Sequence, residues 1–225
     1  MQYLPVLKSA PMFQYIEEAE LYGLLGCLHA KPRSYEKGAL ILRAGDPITG
    51  FGMVLSGRVQ VTREDLYGTR TLLTQLDVGD LFAEAFAFAS APSLPVSVEA
   101  ASECAVLFLD HTRMLSPCDN GCAFHTQLIR NMMGILAKKN LRLNSKIQHI
   151  SRRTTREKLL SFLNEQANMH KSAQFIIPFD RQELADYLCV ERSAMSAELS
   201  RLQKEGVLSY HKSAFKLYAK GREEA

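Results

Sequence analysis

FDRQELADYLCVERSAMSAELSRLQKEGVL, residues 179–208, reads as two helices joined by a tight turn. Asp180 is suited to accept backbone N–H bonds at a helix start, and Glu183, three residues on, can reach back to the cap, a D-x-x-E capping box. Leu184, Ala185 and Leu188 give the first helix a narrow apolar stripe, and Cys189, Val190 and Glu191 make the turn. The second helix runs from about Arg192 to Glu205, with Met195, Leu199 and Leu202 on one face. Its other face carries Arg192, Ser193, Ser196, Ala197 and Ser200, and Gly206 stops it. An apolar back and a small, polar front suit the major groove once a first helix braces the second. A surface helical pair resting on a core would share these features. The segments that follow, Val207–His211 and Phe215–Tyr218, read as two short strands around Lys212-Ser213-Ala214, which is a wing.

Charge supports a nucleic-acid partner. Residues 1–118 hold 9 Lys/Arg and 13 Asp/Glu, a net of −4, whereas residues 119–225 hold 18 and 11, a net of +7. The basic half is the half with the two-helix stretch, and a basic surface attracts phosphate backbone regardless of sequence. The apolar content of 47% is enough for proper cores and excludes a disordered chain. No apolar run approaches a membrane span, and an N-terminus followed by Glu17, Glu18 and Glu20 does not read as a signal peptide. Five irregularly spaced cysteines without an export signal imply free thiols in a reducing cytoplasm.

Upstream of the two-helix stretch the pattern changes three times. Residues 1 to about 30 look helical, with Phe13, Ile16, Leu21, Leu24, Leu25 and Leu28 at mixed spacing. From Ser34 to Asp110, strands are expected over 40–43, 53–55, 59–62, 70–76, 96–100 and 105–109, punctuated by glycine turns, with a hairpin tip at 64–68. Such spacing means a β-sandwich or barrel. Within it Phe82–Phe88 suits a short helix holding one carboxylate, Glu84, and no Lys or Arg occurs from Thr71 to Thr112. From about Asn120 a long helix follows. Ile129, Leu136, Leu143 and Ile150 fall seven apart, and Met133, Asn140 and Ile147 fall four after each of the first three. That suits a heptad seam for a second helix, with Asn140 as its lone polar residue able to set register, although an ordinary long helix lying on the barrel would share the pattern; a two-fold reader of DNA favours the seam. Ser151-Arg152-Arg153 breaks the helix, T-x-x-E at Thr154–Glu157 caps the next one, and Phe175–Phe179 is a short strand.

A strand-rich sensor, a long dimer helix and a C-terminal winged helix-turn-helix in this order resemble the Crp/Fnr family of bacterial transcription regulators. The residues that carry the resemblance are Gly45-Asp46, Gly57, Gly79-Asp80, Glu84 and RQELADYL…RSAMSAELSRLQKEGVL at 181–208. It implies an α+β fold: an N-terminal jelly-roll-like β-barrel (1–118), a dimerisation helix (119–150) and a winged helix-turn-helix (151–225). The implied activity is effector-gated binding of double-stranded DNA by a homodimer, with RNA polymerase as a further partner and no enzymatic step.

The departures from the family pattern define the expected sites. Cyclic-nucleotide-binding members place Gly-Glu before the short helix and Arg-Ser or Arg-Thr about ten residues later; here the positions hold Ala83-Glu84 and Leu94-Pro95. A buried phosphate without a cation is costly, so cyclic AMP is not the expected effector. The effector pocket is expected at Ala83, Glu84 and Ala85 facing Asn131 or Met132 of the long helix. Arg192 matches the family arginine that reaches a guanine, a contact worth about 1–3 kcal/mol of discrimination. The neighbouring readers are replaced by Ser193 and Ala197, which implies an altered half-site or a share for DNA bending. Arg201, Lys204, Lys212 and Lys216 are placed for phosphates. No metal or other cofactor is expected: Cys27 alone lies where cluster ligands gather, and no His precedes His111 within the barrel. Cys118 and Cys122 offer an alternative, a thiol redox sensor in the same family. A small-molecule-binding module without DNA function is the rival from another class, and the wing and the basic C-terminal half argue against it.

Overall fold

The structure is a computed structural model that describes residues 2–65, 67–68, 70–116 and 123–218. Cys118 and Cys122 lie outside the described residues. The chain divides into two compact units, residues 1–137 and 138–225.

The first unit opens with helix α1 (Leu4–Ser9), a 3-10 turn (Pro11–Phe13) and helix α2 (Glu18–Cys27). Strands β1 (Lys31–Tyr35), β2 (Leu40–Leu42), β3 (Phe51–Ser56), β4 (Val59–Glu64), β5 (Arg70–Leu76) and β6 (Leu81–Phe82) follow. Then come helix α3 (Glu84–Phe88), strands β7 (Ser97–Ala100) and β8 (Cys104–Leu109), helix α4 (His111–Leu115) and the long helix α5 (Ala123–Ile150), within which the two units divide. The strands pair antiparallel into two four-stranded sheets, ordered β1-β8-β3-β6 and β2-β7-β4-β5.

Of the sandwich or barrel that the strand spacing allowed, the structure takes the sandwich: among the described residues no ladder closes the two sheets into a barrel. Closure would need the edges β1 or β6 to pair further. However, β6 is two residues long and β1 contains Pro32, which has no N–H to donate. Strand β3 is buried on both faces. Phe51, Met53 and Leu55 pack toward the helices with Leu24, Leu107 and Leu128. Val54 points between the sheets with Val59, Phe82, Val98 and Val106. Its sequence FGMVLS therefore shows no apolar–polar alternation. Gly52 is required at this crossing, because a Cβ there would run into the Phe82 ring.

The second unit holds the end of α5, then α6 (Thr155–His170), β9 (Gln174–Ile176), α7 (Arg181–Leu188), α8 (Arg192–Lys204), β10 (Leu208–His211) and β11 (Ala214–Leu217). Both expected capping boxes form: Thr154 with Glu157 at α6, and Asp180 with Glu183 at α7. The three strands form one antiparallel sheet, β10-β11-β9, whose hairpin is the wing. Leu159, Phe162 and Leu163 of α6 share one core with Leu184 and Leu188, Met195, Leu199 and Leu202, and Phe215. Among the described residues no helix is long and apolar enough to cross a membrane.

Candidate nucleic-acid interface and sensor pocket

Helix α7 ends on Cys189, whose φ of 52° is left-handed. The N–H of Cys189 donates to Asp186 O at 3.2 Å and that of Val190 to Ala185 O at 3.0 Å, the paired bonds of a Schellman stop. This tight turn lets α8 start at Arg192 while both helices keep their apolar faces in the same core. On α8, Met195, Leu199 and Leu202 are buried, whereas Arg192, Ser193, Ala197 and Ser200 are exposed and Ser196 is half-buried. The predicted reading face is therefore a solvent face. The Ser200 hydroxyl is partly committed, since it donates to Ser196 O at 3.0 Å.

The wing is tied to α7 by Arg181, which the sequence reading passed over. Its guanidinium donates to Lys212 O at 2.8 Å and lies 4.6 Å from the Tyr210 ring centre and 5.2 Å from that of Phe215. Burial pulls its pKa below the ordinary arginine value, and Tyr210 offsets this only in part. The Ser213 hydroxyl adds a bond to Phe179 O at 2.9 Å. A groove of about 540 Å³ lies between these parts and brings Arg192 and Lys212 together beside Arg181 and Gln182. Lys204 and Lys216 are exposed. Arg201 is exposed too, but it donates to Glu198 at 2.8 Å. The same carboxylate, on a buried residue, accepts from Arg156 at 3.3 Å, and Arg156 also holds Glu205. Arg201 thus belongs to an ion network that pins α8 to α6.

A second missed cluster joins the end of α5 to α6. His149 is 2% exposed. Its Nδ1 lies 2.8 Å from Ser161 Oγ and its Nε2 2.7 Å from a Glu165 carboxylate oxygen, while the Ser145 hydroxyl donates to the other oxygen at 2.6 Å. Burial pushes the Glu165 pKa up, but the hydrogen bonds from Ser145 and His149 and the charge of His149 outweigh it and hold it below the usual value. The legible signal was helical spacing: Ser145/His149 and Ser161/Glu165 are both i, i+4 pairs.

In the sensor unit, Glu84 is the first residue of α3 and buried, Ala83 before it has a φ of 62°, and Ala85 is exposed. Asn131 of α5 is held by the N-terminal segment: its amide donates to Met12 O at 2.9 Å and Gln14 O at 2.7 Å. Met132 is buried in the core that also takes Ala87 of α3. Leu94, where an arginine would meet a cyclic phosphate, is buried. Along α5, Ile129 and Leu136 pack partly on the sensor core, whereas Met133 is 67% exposed, Leu143 60% and Ile147 57%. Asn140 accepts from the Asn144 amide at 2.9 Å. Among the described residues no group of three or more His, Cys, Asp or Glu is placed to hold a metal ion.

Residues 32–120 match the cyclic nucleotide-binding domain, and residues 157–217 match the Crp-like helix-turn-helix domain. The chain belongs to the Crp/Fnr family. It is a DNA-binding transcription regulator with a sensor domain. Solved structures share the fold along nearly the whole chain. The catabolite activator protein of Thermus thermophilus is 21% identical, with 93% of this chain and 94% of that one covered and a TM-score of 0.50. The c-di-GMP responsive regulator CLP of Xanthomonas campestris is 18% identical, covering 91% and 100%, with a TM-score of 0.56. CprK complexed with OCPA is 13% identical, covering 90% of each chain, with a TM-score of 0.64. No curated protein sequence is significantly similar to the chain.

Proposed function

We propose that this regulator acts as a homodimer on a two-fold symmetric DNA site and that the α5 seam joins its protomers. The observation that carries this reading is the apolar row Met133, Leu143 and Ile147, with Asn140 among them, all turned to solvent on one face of α5. Burying a leucine or isoleucine side chain is worth about 1.5–3 kcal/mol, so a matching second helix gains substantially from covering the row. In each protomer Arg192 reads a base, Ser193, Ser196, Ala197 and Ser200 form the rest of the reading face, and Lys204, Lys212 and Lys216 take phosphates. The two-fold axis makes the site palindromic, and reading helices that enter successive major grooves take half-sites one helical turn apart.

The effector enters beside Ala83, Glu84 and Ala85 and is sensed through Asn131 and Met132 of α5. A shift of the seam then changes the separation of the two reading helices, and the available free energy is the effector's differential affinity for the two arrangements. The lack of any Lys or Arg from Thr71 to Thr112, with Leu94 buried, supports an effector other than cyclic AMP.

Native mass spectrometry and a DNA competition assay test the reading together. The wild-type chain is expected as a dimer and Leu143→Glu as a monomer that loses affinity for the two-fold site. Arg192→Ala should stay dimeric and keep salt-sensitive binding while its preference among sequences falls. A wild-type monomer would sink the seam, and undiminished preference in Arg192→Ala would sink the assignment of α8.

A further inference from the structure

A cleft in the sensor unit is lined by residues of both sheets, two of which, Lys31 and Arg33, are cations. Lys31 and Arg33 stand two apart on β1, so they point to the same side. That side faces the opposite sheet: Phe108, which pairs with Lys31 across the β1–β8 ladder, packs on the core between the sheets. The Arg33 guanidinium lies 5.3 Å from the Phe108 ring centre. Across the gap stand Ile41 and Leu42 of β2, and Thr49 lies at the rim, enclosing a cleft of about 310 Å³. Gly50 closes one side, where a side chain would collide with the carbonyl oxygen of Leu109.

The charge in this cleft is unbalanced. Among the described residues no carboxylate pairs with Lys31 or Arg33. One carboxylate, Asp110, lies on the lining, but its oxygens are engaged by its own helix: Oδ1 accepts from Thr112 N at 2.9 Å and from the Thr112 hydroxyl at 2.7 Å, and Oδ2 lies 3.8 Å from Arg113 Nε. Apolar walls with a few convergent polar groups are the usual make-up of a small-molecule site, and this volume is at the small end of the range.

We propose that this cleft binds a small amphipathic anion, with its carboxylate or phosphate headgroup between Lys31 and Arg33 and a short apolar body against Ile41, Leu42 and Phe108. The site shares no residue with the Glu84 pocket and does not depend on DNA binding. Arg33 supplies a planar, forked donor that lies over the Phe108 ring, and Lys31 a compact point charge on a flexible stem.

Calorimetric titration of the full chain with hexanoate, hexyl phosphate and the neutral hexanamide tests this. One or both anions should bind saturably in the millimolar range or tighter, one per chain, and hexanamide at least about tenfold more weakly. Which anion binds identifies the headgroup. The double substitution Lys31→Gln, Arg33→Gln should weaken anion binding by about tenfold or more and leave hexanamide unchanged. Thr49→Trp, at an exposed rim position, should block anion binding with both cations in place, and circular dichroism confirms that each variant is folded. Equal binding of hexanoate and hexanamide, anion binding that survives the double substitution, or no saturable binding of either anion would overturn the proposal.

Discussion

Ala83 and Cys189 carry a cost that their neighbours make visible. Ala83 has a φ of 62° and Cys189 of 52°, left-handed conformations that disfavour a Cβ by roughly 1–2 kcal/mol. Both sit where a helix begins or ends under tertiary constraint, Ala83 before the buried Glu84 and Cys189 in the turn between α7 and α8. Glycine would relieve the strain but add chain entropy to the unfolded state. Each of Ala83→Gly and Cys189→Gly is thus expected to stabilise its own unit by about 1 kcal/mol, read as a higher urea midpoint at unchanged slope. No change in midpoint would mean the surroundings favour the left-handed turn as it stands. At this scale, legibility in the sequence followed the range of the interaction. Asp180/Glu183 and Thr154/Glu157 were readable because a capping box is closed within four residues. Arg181 was not, because its partners Lys212, Tyr210 and Phe215 come from the wing. Lys31 and Arg33 carried no signal of their own in the sequence, because only the β1–β8 register places them on the side of the second sheet.

Elements were legible where periodicity met one environment. Helix α5 repeats every seven residues, and α8 separates its two faces cleanly. Strand β1, KPRSY, hides because it is polar at an edge, and β6 because it is two residues long. The open barrel was illegible for a related reason: strand count and spacing do not say which edges hydrogen-bond. The join of α5 to α6 gives a prediction at this scale. With its pKa below the usual glutamate value of 4.5, Glu165 adds stability that is fully present above that pH and is lost as pH falls through its folded pKa. Glu165→Gln keeps the shape and a hydrogen-bonding oxygen but not the charge. The stability gap between wild type and this variant, from denaturant titrations at a series of pH values, should be widest above pH 4.5 and narrow below it. A gap that stays constant through acidification would show that the carboxylate charge at His149 contributes nothing.

Across the whole molecule, charge is sorted along the chain: a net of −4 over residues 1–118 and +7 over residues 119–225. Attraction to DNA should therefore come from the C-terminal half and weaken steeply with salt, with a slope of log K against log salt close to −0.9 per phosphate neutralised. The cations of that half are not equivalent. Lys212 lines the groove beside Arg192 and has no carboxylate partner among the described residues. Arg201 shares Glu198 with Arg156, so part of its charge is neutralised before DNA arrives. In a dimer each substitution acts twice. Lys212→Ala should reduce the magnitude of the slope by about 2 with little effect on sequence preference. Arg201→Ala should change it less, since its charge is already partly offset by Glu198 and Arg156 still holds that carboxylate once Arg201 is gone. Anisotropy titrations of the full chain on one two-fold duplex, from low to physiological salt, separate the two. If Arg201→Ala flattened the slope as much as Lys212→Ala, the Glu198 pair would have to open on DNA, and Arg201 would be a phosphate contact in full after all.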